Sequence, residues 1–260
     1  MKKYIVALVL LCVSISVYAD RWDTRKYELR YGLGLNNFMG DICAPKDPKK
    51  QIWIVPFSST GYVADGMLKY IVKDRHSVSG SLNMGYLTAK DPKNNSNYWY
   101  RDGYQFRSFF TELGFRYEYE FVRERRKSTV YRQLGETVFK NITIPSYLFA
   151  GAGVEMNYGG FNWNTKDGKE RMNEKYFCVA PVIMMGVGAK FRVAHNTYVG
   201  GEFGLRFALG DKLDNCSGKD SPQFGKWIDQ YQVVTINVIH KLKAKKNNMP
   251  NFKSIRVKYL

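Results

Sequence analysis

Beyond its first 19 residues, this chain has no unbroken apolar run of the length a membrane-spanning helix needs. The longest, FCVAPVIMMGVGA (177–189), falls short. Proline is scarce, with 8 residues, and histidine scarcer, with 3. Few prolines leave long strands uninterrupted. Few histidines leave little material for general acid–base catalysis or a zinc site. Acidic residues are also in short supply, 23 against 40 Lys and Arg, which gives a formal net charge of +17. What the chain does have is 19 Tyr, 16 Phe and 23 Gly, a composition suited to β-strands anchored by aromatics.

The amino terminus reads as an export signal. Lys2 and Lys3 precede an apolar stretch, Tyr4 to Val17, and Val17-Tyr18-Ala19 offers small-residue cleavage before Asp20. Removing 1–19 lowers the formal charge to +15. Leu10 and Leu11 before Cys12 do not fit a lipoprotein signal. The exported chain is then either a soluble protein or a β-barrel of an outer membrane.

Alternation at period 2 fits either, and the placement of glycines and aromatics together with the lengths of the links favours the barrel. In KYELRYGLGLNN (26–37), Tyr27, Leu29, Tyr31, Leu33 and Leu35 share one face; Glu28, Arg30, Gly32 and Gly34 share the other. The pattern recurs in 61–72, 77–87, 106–122, 146–158, 179–193, 197–209 and 231–242. The clearest is FRSFFTELGFRYEYEFV (106–122), with Phe109, Leu113, Phe115, Tyr117, Tyr119 and Phe121 opposite Glu112, Gly114, Arg116, Glu118 and Glu120. The links 73–76 and 194–197 are tight, whereas 38–60, 89–105, 159–177 and 210–229 are long, the rhythm of short inner turns and longer outer loops. Only 123–143 breaks it, long and basic on the short-turn side. Glycines share the charged face, as a narrow interior requires, and aromatics such as Tyr27, Tyr62, Tyr86, Tyr119 and Phe121 sit near strand ends. The sequence therefore predicts an all-β fold, an eight-stranded antiparallel transmembrane β-barrel of the outer membrane over 20–243, with a basic periplasmic tail over 244–260 and lipid as its surroundings.

On that fold Glu28, Arg30, Asp65, Lys69, Glu112, Arg116, Glu118, Glu120, Glu155, Lys190, Arg192, Glu202 and Arg206 point into a lumen too narrow for an open pore. They are expected to neutralise one another as an internal ion-pair network. The surplus positive charge gathers at the periplasmic end. Arg123, Arg125, Arg126 and Lys127 belong to a segment, 123–140, of net +4; Lys243, Lys245 and Lys246 belong to the terminal stretch 241–260, of net +7. An acidic periplasmic protein or anionic headgroups suit this face, and nucleic acid does not. Cys43, Cys178 and Cys216 fall at the outer end; at most one disulfide can form among them, with Cys43–Cys216 the expected pair. His76, His195 and His240 map to the inner end, far from Asp41, Asp211 and Asp214 at the outer rim. No catalysis, cofactor, metal or small-molecule substrate is expected.

Three stretches carry a family resemblance: GLGLNNFMGDI (32–42), IPSYLFAGAGVEMN (144–157) and MGVGAKFRVAHNTYVGGEFGLRFALGDKLDNCSG (185–218). They resemble the PorG-type outer-membrane barrel of the type IX protein secretion system. The resemblance implies an accessory, non-enzymatic component beside a periplasmic ring of secretion proteins, which the basic inner face would dock. The cysteines and the extended basic tail depart from the pattern.

Overall fold

The computed structural model describes residues 26–39, 59–73, 75–90, 105–122, 144–164, 171–194, 196–209, 229–244 and 249–252. The described strands, in chain order, are β1 (Tyr27–Met39), β2 (Thr60–Lys73), β3 (His76–Lys90), β4 (Gln105–Val122), β5 (Ser146–Asn164), β6 (Arg171–Ala194), β7 (Thr197–Ala208), β8 (Gln230–Ala244) and β9 (Pro250–Asn251). Strands β1 to β8 pair antiparallel in sequence order, and β1 returns to β8 from Tyr27↔Leu242 to Met39↔Gln230. The sheet is thus a closed eight-stranded barrel with no free edge along this seam, the state in which every strand's backbone groups are paired.

Each strand follows its alternation. Along β4, Glu112, Arg116 and Glu118 are buried while Leu113, Phe115 and Tyr117 are exposed. The apolar side is the outside: Phe115 is 81% accessible, Leu33 73% and Ile236 70%, whereas Glu112 and Glu155 are fully enclosed. In water each such exposed side chain would forgo about 1.5–3 kcal/mol of burial, and a wall of them would aggregate. A bilayer removes that cost. The barrel is inside-out relative to a soluble one.

Two inner connections are tight, with Lys73 facing His76 and Ala194 facing Thr197. Register shifts occur at Ile71/Lys73, Glu120/Val122 and Arg192/Ala194, all at this end, where strands bend into their turns. At the outer end the strands run further than alternation suggested. The link expected over 159–177 is instead mostly a hairpin, paired from Asn157↔Cys178 up to Asn164↔Arg171. Its tyrosines, glycines and asparagines satisfied the ladder without showing period 2, so the sequence read as loop. β6 consequently rises beyond β7, with which it pairs only as far as Val182↔Ala208.

Past β8 the chain turns back, and Asn251 and Pro250 pair with Lys243 and Ala244. The tail expected over 244–260 thus contains at least this short return. Arg123, Arg125, Arg126, Lys127, Lys245, Lys246, Cys43 and Cys216 lie outside the described residues, as does the whole link 123–143.

Candidate functional site

The lumen collects side chains from all eight barrel strands and arranges them in tiers. At the inner end, Lys190 Nζ donates to Glu28 Oε1 at 3.0 Å and to Glu120 Oε1 at 2.8 Å. Lys69 Nζ lies 2.9 Å from Glu118 Oε2 and 3.3 Å from Glu120 Oε1. A lysine ammonium has three donors and no plane to satisfy, so each can serve carboxylates from different strands. Lys241 stands at the rim of this tier, 3.9 Å from Glu28.

The middle tier is built on Glu202. Its Oε1 accepts from Arg116 Nη1 at 2.7 Å, while Oε2 accepts from Arg116 Nη2 at 2.9 Å. The same Oε2 accepts from Arg30 Nη1 at 2.6 Å and from the Tyr147 hydroxyl at 3.0 Å. A fork-to-fork pair of this kind fixes both position and orientation. Arg116 also lies 4.3 Å above the Phe149 ring, and its Nε donates to Glu118 at 3.1 Å, linking the two tiers. Arg30 Nε sits 3.5 Å from Asp65 Oδ2. A small void is lined by residues of both tiers, among them Glu28, Arg30, Lys69, Glu118, Tyr147 and Lys190.

A third tier holds two carboxyl groups directly opposite one another in register, Glu112↔Glu155. The Tyr231 hydroxyl is 2.6 Å from Glu112 Oε2 and 2.6 Å from Glu155 Oε2. Asn83 Nδ2 donates to Glu112 at 2.5 Å and Asn157 Nδ2 to Glu155 at 2.7 Å. Arg206 Nε lies 3.5 Å from Glu112. A phenol has one hydrogen and can satisfy one of its two close contacts, so the other needs a hydrogen from the carboxyl side. Glu155→Gln supplies one: its amide can donate to Tyr231 while Tyr231 donates to Glu112. This substitution is expected to change stability by less than about 1 kcal/mol, measured as the urea midpoint of unfolding in lipid vesicles. A loss of several times that would show that Glu155 is held as a charge partner.

Above these tiers the lumen turns apolar. Phe38, Val63, Leu87, Phe110, Val182, Tyr231 and Val233 form a buried cluster at the outer end, with Cys178 packed against it. The sequence led us to expect charges throughout, and this apolar plug was missed. A signal for it was present in the doublets Phe109-Phe110, Met184-Met185 and Val233-Val234. In a strand, two adjacent apolar residues cannot share a face. One of each pair must enter the lumen.

Of the residues expected in the network, Glu28, Arg30, Asp65, Lys69, Glu112, Arg116, Glu118, Glu120, Glu155, Lys190, Glu202 and Arg206 are buried together in the lumen. Arg192 is not among them. It stands half-exposed at the inner rim, two residues beyond Lys190, where the register shift before Ala194 carries β6 out of the barrel. Lys243 is exposed at the end of β8.

At the inner end the outward face carries rings rather than aliphatics. Tyr27 meets Tyr70, with centroids 5.2 Å apart, and Tyr31 donates to or accepts from His240 at 3.0 Å. His76 packs between Tyr117 and Tyr119 and hydrogen-bonds the Tyr117 hydroxyl. These rings have an apolar body and a polar tip, the property that places Tyr at the boundary between hydrocarbon and headgroups. His76 and His240 therefore belong to this girdle. Among the described residues, no group of three His, Cys, Asp or Glu is placed to hold a metal ion.

Comparison with solved structures finds small outer-membrane proteins. Ail of Yersinia pestis is 9% identical, with 83% of this chain and 98% of that one covered and a TM-score of 0.39. A major outer membrane protein of Thermus thermophilus is 10% identical, covering 82% and 98%, with a TM-score of 0.46. Neisserial surface protein A is 11% identical, covering 83% and 96%, with a TM-score of 0.34. No curated protein matches the sequence. The model of the family described as Domain of unknown function (DUF6089) matches residues 2–228, ending just before β8, and the chain belongs to that family.

Proposed function

We propose that this protein is a non-enzymatic outer-membrane barrel that works through its ends, as an accessory component of type IX secretion. Its basic periplasmic face docks a ring of periplasmic secretion proteins. The observation that carries the first half of this reading is the filled lumen: three polar tiers and an apolar plug leave no passage for cargo or solute. Planar bilayers containing the purified barrel are therefore expected to show no stepwise conductance. The docking half is supported by the resemblance of residues 32–42, 144–157 and 185–218 to PorG-type barrels and by the charge of the inner segments. Neutralising Arg123, Arg125, Arg126 and Lys127 together should reduce export of type IX cargo while the folded, heat-modifiable barrel remains at normal abundance. Undiminished export from that strain would remove the docking role.

A second reading, a general small barrel acting at the cell surface, is favoured by one feature, the β5–β6 hairpin that rises past β7. Deleting only its tip, 165–170, separates the two. Loss of a surface property with normal export supports the second reading; an unchanged surface property with normal export removes it and leaves the first.

A further inference from the structure

The outward face of β3 to β6 changes character along one register row. Tyr86↔Phe109, Phe109↔Tyr158 and Tyr158↔Phe177 are successive cross-strand partners, so four aromatic residues lie side by side on the outside. All four are exposed to the barrel's surroundings. Two residues further along each strand, the next row reads Thr88↔Arg107, Arg107↔Gly160 and Gly160↔Lys175. Arg107 and Lys175 are exposed, and the strand between them presents a glycine. Strands stand about 4.8 Å apart, so the two cations rise from backbones roughly 10 Å apart with no side chain between them. Long basic side chains reach across that gap to one group.

The depth of this pair in the membrane follows from β4. Tyr119, on the inner girdle, and Phe109 are ten residues apart; at about 3.4 Å per residue and a tilt near 45°, that is roughly 25 Å of height, the full apolar band. Arg107 comes just after it, at the level of the outer headgroups. Its guanidinium lies over the Tyr86 ring of β3, 5.0 Å from the centroid, so it rests on the wall at headgroup level and must swing across β4 to meet Lys175 over Gly160. Among the acidic side chains described, Glu28, Asp65, Glu112, Glu118, Glu120, Glu155, Glu202 and Asp229 are all buried, so none of these stands beside the pair on the outside of the barrel.

We infer that Arg107 and Lys175 form a clamp for a phosphate of a phosphorylated glycolipid in the outer leaflet. The acyl chains would lie on Phe109, Tyr158 and Phe177, and the phosphate would sit over Gly160. Two cations beside an aromatic row satisfy both halves of such a lipid, which a soluble anion would not use. The inference rests on the bilayer-spanning reading alone; a protein that fails to insert into vesicles removes that reading first.

The test uses the full mature chain in zwitterionic micelles, titrated with diphosphoryl lipid A and read by native mass spectrometry. Joint replacement Arg107→Gln and Lys175→Gln is expected to weaken binding by about tenfold to thirtyfold, since each cation near a lipid surface is worth about 1 kcal/mol. Lys241→Gln with Lys243→Gln, at the opposite end, should leave it unchanged. Equal binding by the outer double variant overturns the clamp, and so does equal loss in the inner one. Inorganic phosphate should not displace the lipid; displacement at millimolar concentration would reassign the pair to free anions and overturn the lipid assignment.

Discussion

Replacing Glu202 with alanine is expected to destabilise the barrel by about 3–5 kcal/mol, the cost of stranding buried charges without their partner. Glu202 accepts from Arg30, both terminal nitrogens of Arg116, and Tyr147. Arg30 and Arg116 are each about 4% accessible, so neither guanidinium can turn to water when the carboxylate is gone. Arg30 keeps Asp65 at 3.5 Å and Arg116 keeps Glu118 at 3.1 Å, which limits the damage. Unfolding in urea, followed in vesicles by gel mobility of unheated samples, gives the measurement. A quadruple variant in which Arg30, Asp65, Arg116 and Glu202 all become methionine should recover most of the loss, because this removes two cations with two anions and Glu118 keeps Lys69 at 2.9 Å. A cost below about 1 kcal/mol for Glu202→Ala would mean that water enters the lumen and solvates the arginines.

Gly186→Val is expected to be as damaging by a steric route. A Cβ at Gly186 would run into the carbonyl oxygen of Phe203 on the neighbouring strand and the ring of Phe149 inside the lumen. The carbonyl belongs to the barrel ladder and cannot move; the ring can move only by displacing Arg116, which lies over it. Overpacking of this kind costs about 3 kcal/mol or more, and in a closed barrel the yield of folded protein should fall with it. Gly66→Ala is the control. There the nearest atom met by a new Cβ is the Leu82 carbonyl oxygen at 3.8 Å, an ordinary contact. That variant should stay within about 0.5 kcal/mol of the parent. If Gly186→Val folds with normal stability, the glycines of the lumenal face are not there to make room for rings.

The lumenal rings explain why several glycines sit where they do. Tyr147 lies against Gly188, Phe149 against Gly186 and Gly204, and Met184 against Gly114. The sequence showed glycines on the polar face and a lumen that had to be filled. It offered no means of telling which large side chain lies over which glycine, because those contacts cross between strands or between turns of the register. The apolar plug was hidden for a related reason. Its members, Phe110, Val182 and Val233, have apolar neighbours in sequence, so alternation of hydrophobicity vanishes locally even though alternation of direction persists. The extended hairpin from Asn157 to Cys178 escaped notice because its asparagines, glycines and charges resemble loop composition. Backbone pairing above the membrane needs no apolar face to form.

Local alternation was enough to determine the number of barrel strands, the side of each that meets lipid and the inward position of Glu28, Arg30, Arg116, Glu202 and their fellows. All of these follow from period 2 within one strand, which any segment displays by itself. The tiers and the hub at Glu202 belong to closure, and the juxtaposition of Arg107 with Lys175 across Gly160 belongs to the register of β4, β5 and β6. Arg30 and Glu202 are 172 residues apart, and only the register of the intervening strands and the return of β1 to β8 decide that they meet. Such contacts depend on strand stagger accumulated around the ring, and no single strand carries that information.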